Sequence, residues 1–176
     1  MSKEAGRKGQ TIRLAERVVF SQRFKPLYAQ GMQLVEEAAT YLDGDGRAAA
    51  KGLSRVAAAL YAAESMRLTT RLMQVASWLL LQRAANSGEM TREQVASEKA
   101  KVKLDTVSAD VATAGWDELP EPFHDLVRRS LDMQRLVKRM DSEIYGPALQ
   151  AQAEGPATAN PVSDQINLLK TAFGGR

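Results

Sequence analysis

Apolar residues along this chain recur at three- and four-residue steps, and no apolar–polar alternation persists long enough to predict a sheet. Phe24, Leu27, Tyr28, Leu34, Val35, Ala38, Tyr41 and Leu42 predict a first helix from Ser21 or Lys25 to Leu42, with Pro26 in its first turn. Asp43-Gly44-Asp45-Gly46 stops it with turn formers. A long second helix is expected from Arg47 to Asn86, closed by Ser87-Gly88. One of its stripes reads Leu53, Val56, Ala57, Leu60, Leu68, Leu72, Val75, Leu79. A second face carries Met66, Met73 and Leu80 at seven-residue spacing, with Trp78 and Leu81 beside them. A helix with one buried side shows one stripe, so this one is expected to touch its own bundle and something else.

Thr91-Arg92-Glu93-Gln94 has the spacing of a capping box and predicts a short helix ending near Val102. Residues 105–121 read as irregular, with Trp116 expected to bury its ring at the crossing. Phe123, Leu126, Ser130, Met133, Val137, Met140 and Ile144 step 3-4-3-4-3-4 along a third long helix from Phe123 to Tyr145. That repeat suits side-by-side helix packing. Gly146-Pro147 is expected to end it. The fold class is therefore all-α: a three-helix bundle with a long central helix and a short extra helix in its second connection. Residues 21–147 form the bundle, 1–20 a disordered basic arm, and 148–176 a flexible tail. Within that tail, Ile166, Leu169 and Phe173 fall on one face of a short helix suited to docking in a groove.

Charge alters this picture only at one end. The pI near 9.3 invites a nucleic-acid reading. Yet residues 1–25 hold seven bases against two acids, leaving 17 bases against 19 acids for the rest. The basicity belongs to the arm, whose aromatics Phe20 and Phe24 abut the first helix and offer poor base stacking. Phosphate binding through the arm stays as the alternative function, with a solvated leader as the plainer reading.

Composition removes most chemistry. There is no cysteine, so no disulfide, thiolate zinc site or thiol nucleophile is available. His124 is the sole histidine, which excludes a histidine relay and reads as structural. The Asp43 turn fails as a calcium loop, having Arg47 at position 5, Ala48 at 6 and Ser54 at 12. Glu36 and Glu37 are neighbours and diverge on a helix. Neither a phosphate loop nor a nucleophile elbow is present. The expectation is no enzyme, no catalytic or metal residues and no cofactor. The longest uncharged stretch, Leu72–Gln82, is too short for the roughly 20 residues of a membrane span, so a cytoplasmic chain is expected.

The segment from Glu64 to Gln74 is the oddest. Arg67 and Arg71 lie four residues apart between Met66 and Met73. Either they face a partner or a second copy, as methionine-flanked arginines do at interfaces. Or they enter an internal ion network with Glu64 and Glu36 or Glu37. The spacing leaves both open. Met66, Arg67, Arg71, Met73 and Leu80 are the interface candidates, and Ile166, Leu169 and Phe173 the tail candidates.

The run from Tyr61 to Thr91, YAAESMRLTTRLMQVASWLLLQRAANSGEMT, resembles the alphaproteobacterial RcdA family, "regulator of CtrA degradation". Gly31-Met-Gln-Leu-Val-Glu-Glu37, Tyr41-Leu-Asp-Gly44, Glu98-Lys-Ala-Lys-Val-Lys103, Asn160-Pro-Val and Ala172-Phe-Gly174 also fit. The resemblance covers residues 20–145 well and the tail more loosely. It implies a three-helix bundle able to dimerise, acting without catalysis as an adaptor for the ATP-dependent ClpXP protease. The implied partners are ClpX, a response-regulator primer and substrates that include cell-cycle regulators.

Overall fold

The computed structural model describes the backbone of residues 4–153 and the side-chain environments of residues 22–146, Arg92 excepted. Its elements are α1 (Glu4–Asp43), α2 (Asp45–Ala50), α3 (Arg55–Ser87), α4 (Arg92–Lys99), a 3₁₀ turn (Trp116–Glu118) and α5 (Glu121–Ala153). The chain divides after Lys138 into two units, and the packing described below belongs to the first. The fold is all-helical, as the hydrophobic periodicity requires. Among the described residues, no helix is long and apolar enough to cross a membrane.

Three boundaries differ from those the pattern predicts. α1 starts at Glu4 rather than at Ser21 or Lys25, so residues 4–20 carry helical backbone where a disordered arm was expected. That stretch has no proline, and its three Arg, two Ala, two Glu and single Gln, Lys and Leu are good helix formers that outnumber its two glycines. Pro26 consequently lies inside α1 rather than in its first turn, where it removes one helical hydrogen bond. The expected second helix is broken in two. α2 closes at Ala50, and Ser54 starts α3 by accepting a hydrogen bond at its Oγ from the Ala57 N–H (3.2 Å). Gly52 between them is a poor helix residue, and a capping serine outcompetes a continuous helix there. α5 continues past Gly146-Pro147 to Ala153, carried by the helix formers after Pro147.

Other boundaries match. Gly88 takes the left-handed conformation (φ 80°) that ends α3, and the Thr91–Gln94 capping box is formed in both directions at the start of α4. α4 stops at Lys99, somewhat before Val102.

The core is built from the stripes. Phe24, Leu27, Leu34 and Ala38 of α1 are buried with Leu68, Leu72, Val75, Trp78 and Leu79 of α3. On α5, Phe123, Leu126, Ser130, Met133 and Val137 are all buried, so the 3-4 repeat is the inward face as far as Lys138. Burying each large apolar side chain contributes about 1.5–3 kcal/mol. Phe123 lies between Tyr41 and Tyr61, with ring centroids 6.4 and 4.7 Å away. Gly31 forms a notch in α1, where a Cβ would collide with the Leu79 side chain. Arg83 ties α3 to α1 by donating to the Tyr28 hydroxyl (3.0 Å) and lying over its ring. Val56, placed on the inner stripe by spacing, is exposed, because the helix turns it outward in its first turn.

Candidate functional site

α3 has two sides of opposite character. Its inner side is core. On its outer side, Met66, Met73 and Leu80 are 73%, 65% and 48% exposed, one above another at two-turn intervals. The polar residues around them hold their own polarity in. Ser65 Oγ donates to the Tyr61 carbonyl (2.7 Å), Thr69 Oγ1 to the Ser65 carbonyl (2.9 Å), and Ser77 Oγ to the Met73 carbonyl (2.8 Å). Those hydroxyls are satisfied within the helix, so the three apolar side chains share this face chiefly with exposed Thr70 and Arg67. Trp78 and Leu81, which the sequence sets beside this face, do not share it. Trp78 is buried and Leu81 half-buried.

The two arginines part company. Arg67 lies at the edge of the methionine face, with its side chain 44% exposed and its guanidinium paired to Glu64. Arg71 is completely buried and is not a surface residue, which corrects its assignment as an interface candidate. One helical turn rotates it inward, toward α5. There its Nη1 donates to Ser130 Oγ (2.7 Å), its Nη2 to Ser108 Oγ (2.8 Å) and its Nε to the Thr106 carbonyl (3.3 Å). Burial pulls the Arg71 guanidinium below its ordinary pKa; the negative charge of Glu64 opposes this, and Arg67 adds to it. Glu64 is equally buried, and its Oε1 accepts from the Arg67 guanidinium and from the Ala109 N–H (2.9 Å).

The predicted ion network thus exists around Glu64, but without Glu36 or Glu37. Glu37 instead pairs with Arg129 of α5 at 2.6 Å, across the outside of the bundle. The hydrogen bond from Arg129 holds the Glu37 carboxyl below its usual range, opposed by slight burial and assisted by Gln33.

Residues 102–110 carry no regular secondary structure and form a strap joining α4 to the 3₁₀ turn. Val102, Leu104, Thr106 and Ser108 are half-buried, while Lys103, Asp105 and Val107 are exposed. Among the described residues, no backbone–backbone hydrogen bond involves 103–109. Side chains hold the strap instead. Gln134 Nε2 of α5 donates to the Leu104 carbonyl (2.8 Å), and Thr106 Oγ1 donates to Gln74 Oε1 (2.9 Å). Sequence reasoning missed this strap and the roles of Ser108, Ser130 and Gln134. The signal available was the short alternation Val102-Lys-Leu104-Asp-Thr106.

Beyond the strap, Trp116 is half-buried rather than enclosed, with one face of its ring stacked on His124 (centroids 5.1 Å apart, planes 16°). His124 Nε2 lies 3.0 Å from the Trp116 carbonyl, consistent with a structural histidine. Among the described residues, no group of three His, Cys, Asp or Glu side chains is placed to hold a metal ion. Ile166, Leu169 and Phe173 lie outside the described residues.

Residues 15–173 match the family described as "Protein of unknown function (DUF1465)". Among solved structures, the chain is similar to RcdA from Caulobacter crescentus, at 48% identity and a TM-score of 0.57. The match covers 69% of this chain and 91% of that one. No curated protein matches the sequence.

Proposed function

Because the chain belongs to the RcdA family, we propose that it is a non-enzymatic adaptor that brings selected proteins to the ClpXP protease. The observation that carries this reading is the outer face of α3, where Met66, Met73 and Leu80 stand exposed among internally satisfied hydroxyls. Scattered exposed apolar residues are ordinary, but an aligned set of flexible ones suits a contact surface. Arg67 at its edge supplies a charge that orients a partner. Arg71 supports the same helix from inside by joining it to α5 and the strap.

A tether works without reacting. Holding substrate and protease together raises their effective concentration and improves apparent affinity by roughly 10²–10⁴. The partners are those the family resemblance implies: ClpX, a response-regulator primer and substrates that include cell-cycle regulators. Adding the full chain to ClpXP, primer and a candidate substrate should speed degradation. An unchanged rate with every component present would reject the adaptor reading.

Self-association through the same face is part of the proposal. Met73→Glu places a charge on that face without touching the core. It should lower the solution mass from dimer to monomer by light scattering, with unfolding within about 0.5 kcal/mol of the parent. A dimer that persists puts the seam on another helix. The role of Ile166, Leu169 and Phe173 as a partner-binding peptide is tested by truncating after Gln150 and comparing the proteins captured from the source cell.

A further inference from the structure

The strap lies on a surface whose polar groups read main chain. Gln134 donates to the Leu104 carbonyl, Arg71 to the Thr106 carbonyl, and Glu64 accepts the Ala109 N–H. Among the described residues, the strap side chains hydrogen-bonded to the helices are two hydroxyls two residues apart: Thr106 with Gln74 and Ser108 with Arg71. Between Val95 and Leu119 no apolar side chain is fully buried, and Val102 and Leu104 of the strap are half-buried. Glu64 and Gln134, the two side chains gripping its ends, are buried and each retains an oxygen, Glu64 Oε2 and Gln134 Oε1, without a hydrogen-bonding partner.

We propose that this surface of α3 and α5 is a peptide-binding groove and that the strap is its resident, displaceable occupant. The ligand is an extended segment of a partner protein carrying Ser or Thr at alternate positions, bound where residues 104–109 now lie. Three features support this occupant. The strap shows the period-two burial of an extended peptide. Its grip depends on main-chain groups that every peptide has, so another segment can present the same donors and acceptors. The two spare acceptors on Glu64 and Gln134 accommodate N–H or O–H groups that the strap does not supply. The hydrogen bonds that seat the strap are polar contacts, whereas α1 and α3 meet through buried apolar side chains. The proposal concerns this groove alone and stands whether or not the chain serves a protease.

The probe is a fluorescein-labelled peptide of residues 101–111, KVKLDTVSADV, titrated into the full-length chain. Thr106→Ala/Ser108→Ala in the protein weakens the resident strap while leaving the groove whole, and should tighten peptide binding at least tenfold over the parent. The same two substitutions in the peptide should weaken binding at least tenfold. Circular dichroism establishes that each variant keeps its helices. If the strap variant does not fold, hydrogen exchange of the parent is the deciding measurement. Unlabelled peptide should then raise the exchange rate of the Ala109 amide in proportion to its concentration, while α3 amides stay protected. No binding to the folded strap variant at millimolar peptide, or an Ala109 amide indifferent to the peptide, overturns the proposal. So does binding that ignores the Thr and Ser substitutions in the peptide.

Discussion

Arg71 shows how one side chain serves the fold when its chemistry is fully matched. A buried guanidinium without partners is prohibitively costly, whereas here it meets two hydroxyls and a carbonyl, with Glu64 supplying opposite charge nearby. Arg71→Met should therefore lower unfolding stability by about 3–5 kcal/mol in urea titrations, because it leaves Ser130, Ser108 and the Thr106 carbonyl without their donor and removes one of the two positive charges beside buried Glu64. Arg71→Lys should recover little, since one ammonium lacks the planar fork that reaches Ser130, Ser108 and Thr106 together. Sequence alone did not reveal this role. Arginine is rarely fully buried, and its partners lie 35, 37 and 59 residues away. Glu64 was a visible partner because it shares the helix, within two turns. Met66, Met73 and Leu80 were legible for a related reason: spacing along one helix fixes which residues share a face, even before that face is known to be exposed.

Among the elements, α5 was the most readable. Its 3-4 repeat maps directly onto burial from Phe123 to Val137, because one stripe faces one core. α3 was readable in composition but not in extent, since the break before it depends on a local competition at Ser54. That serine caps α3 through Ala57 and also donates from its Oγ to Glu118 Oε1 (3.0 Å) beside the 3₁₀ turn. Ser54→Ala should lower stability by about 1–2 kcal/mol, measured by thermal unfolding, with fraying confined to the first turn of α3 in hydrogen exchange. The start of α1 differs from the expected one because positive charge suggested solvation, while local propensity favours continuing the helix back to Glu4. The strap was illegible because a segment without regular structure draws its order from side chains far along the chain.

For the whole bundle, the Glu37–Arg129 pair joins α1 to α5 across the outside. A carboxyl held below its usual value in the folded state stabilises the fold at pH above the ordinary carboxylate range. That contribution fades as the pH falls through the lowered value. The midpoint of thermal unfolding should thus decline on acidification below about pH 4.5, and Glu37→Gln should make that decline shallower. Because both partners are more than a third exposed, the effect is small and should shrink further in high salt. A midpoint whose acid slope is the same in Glu37→Gln and the parent would show that other carboxyls set it.

The side-chain grip on the strap also fixes an order of events in time. Helical contacts close short loops and form early, whereas the bonds from Gln134, Arg71 and Glu64 to the strap span 30, 35 and 45 residues. They need α3 and α5 already side by side before they have a surface to settle on. Seating the strap is then the closing act of folding, after the main barrier is passed. Weakening it by Gln134→Leu should accelerate unfolding while leaving the refolding rate nearly untouched, a separation that stopped-flow chevron limbs read directly.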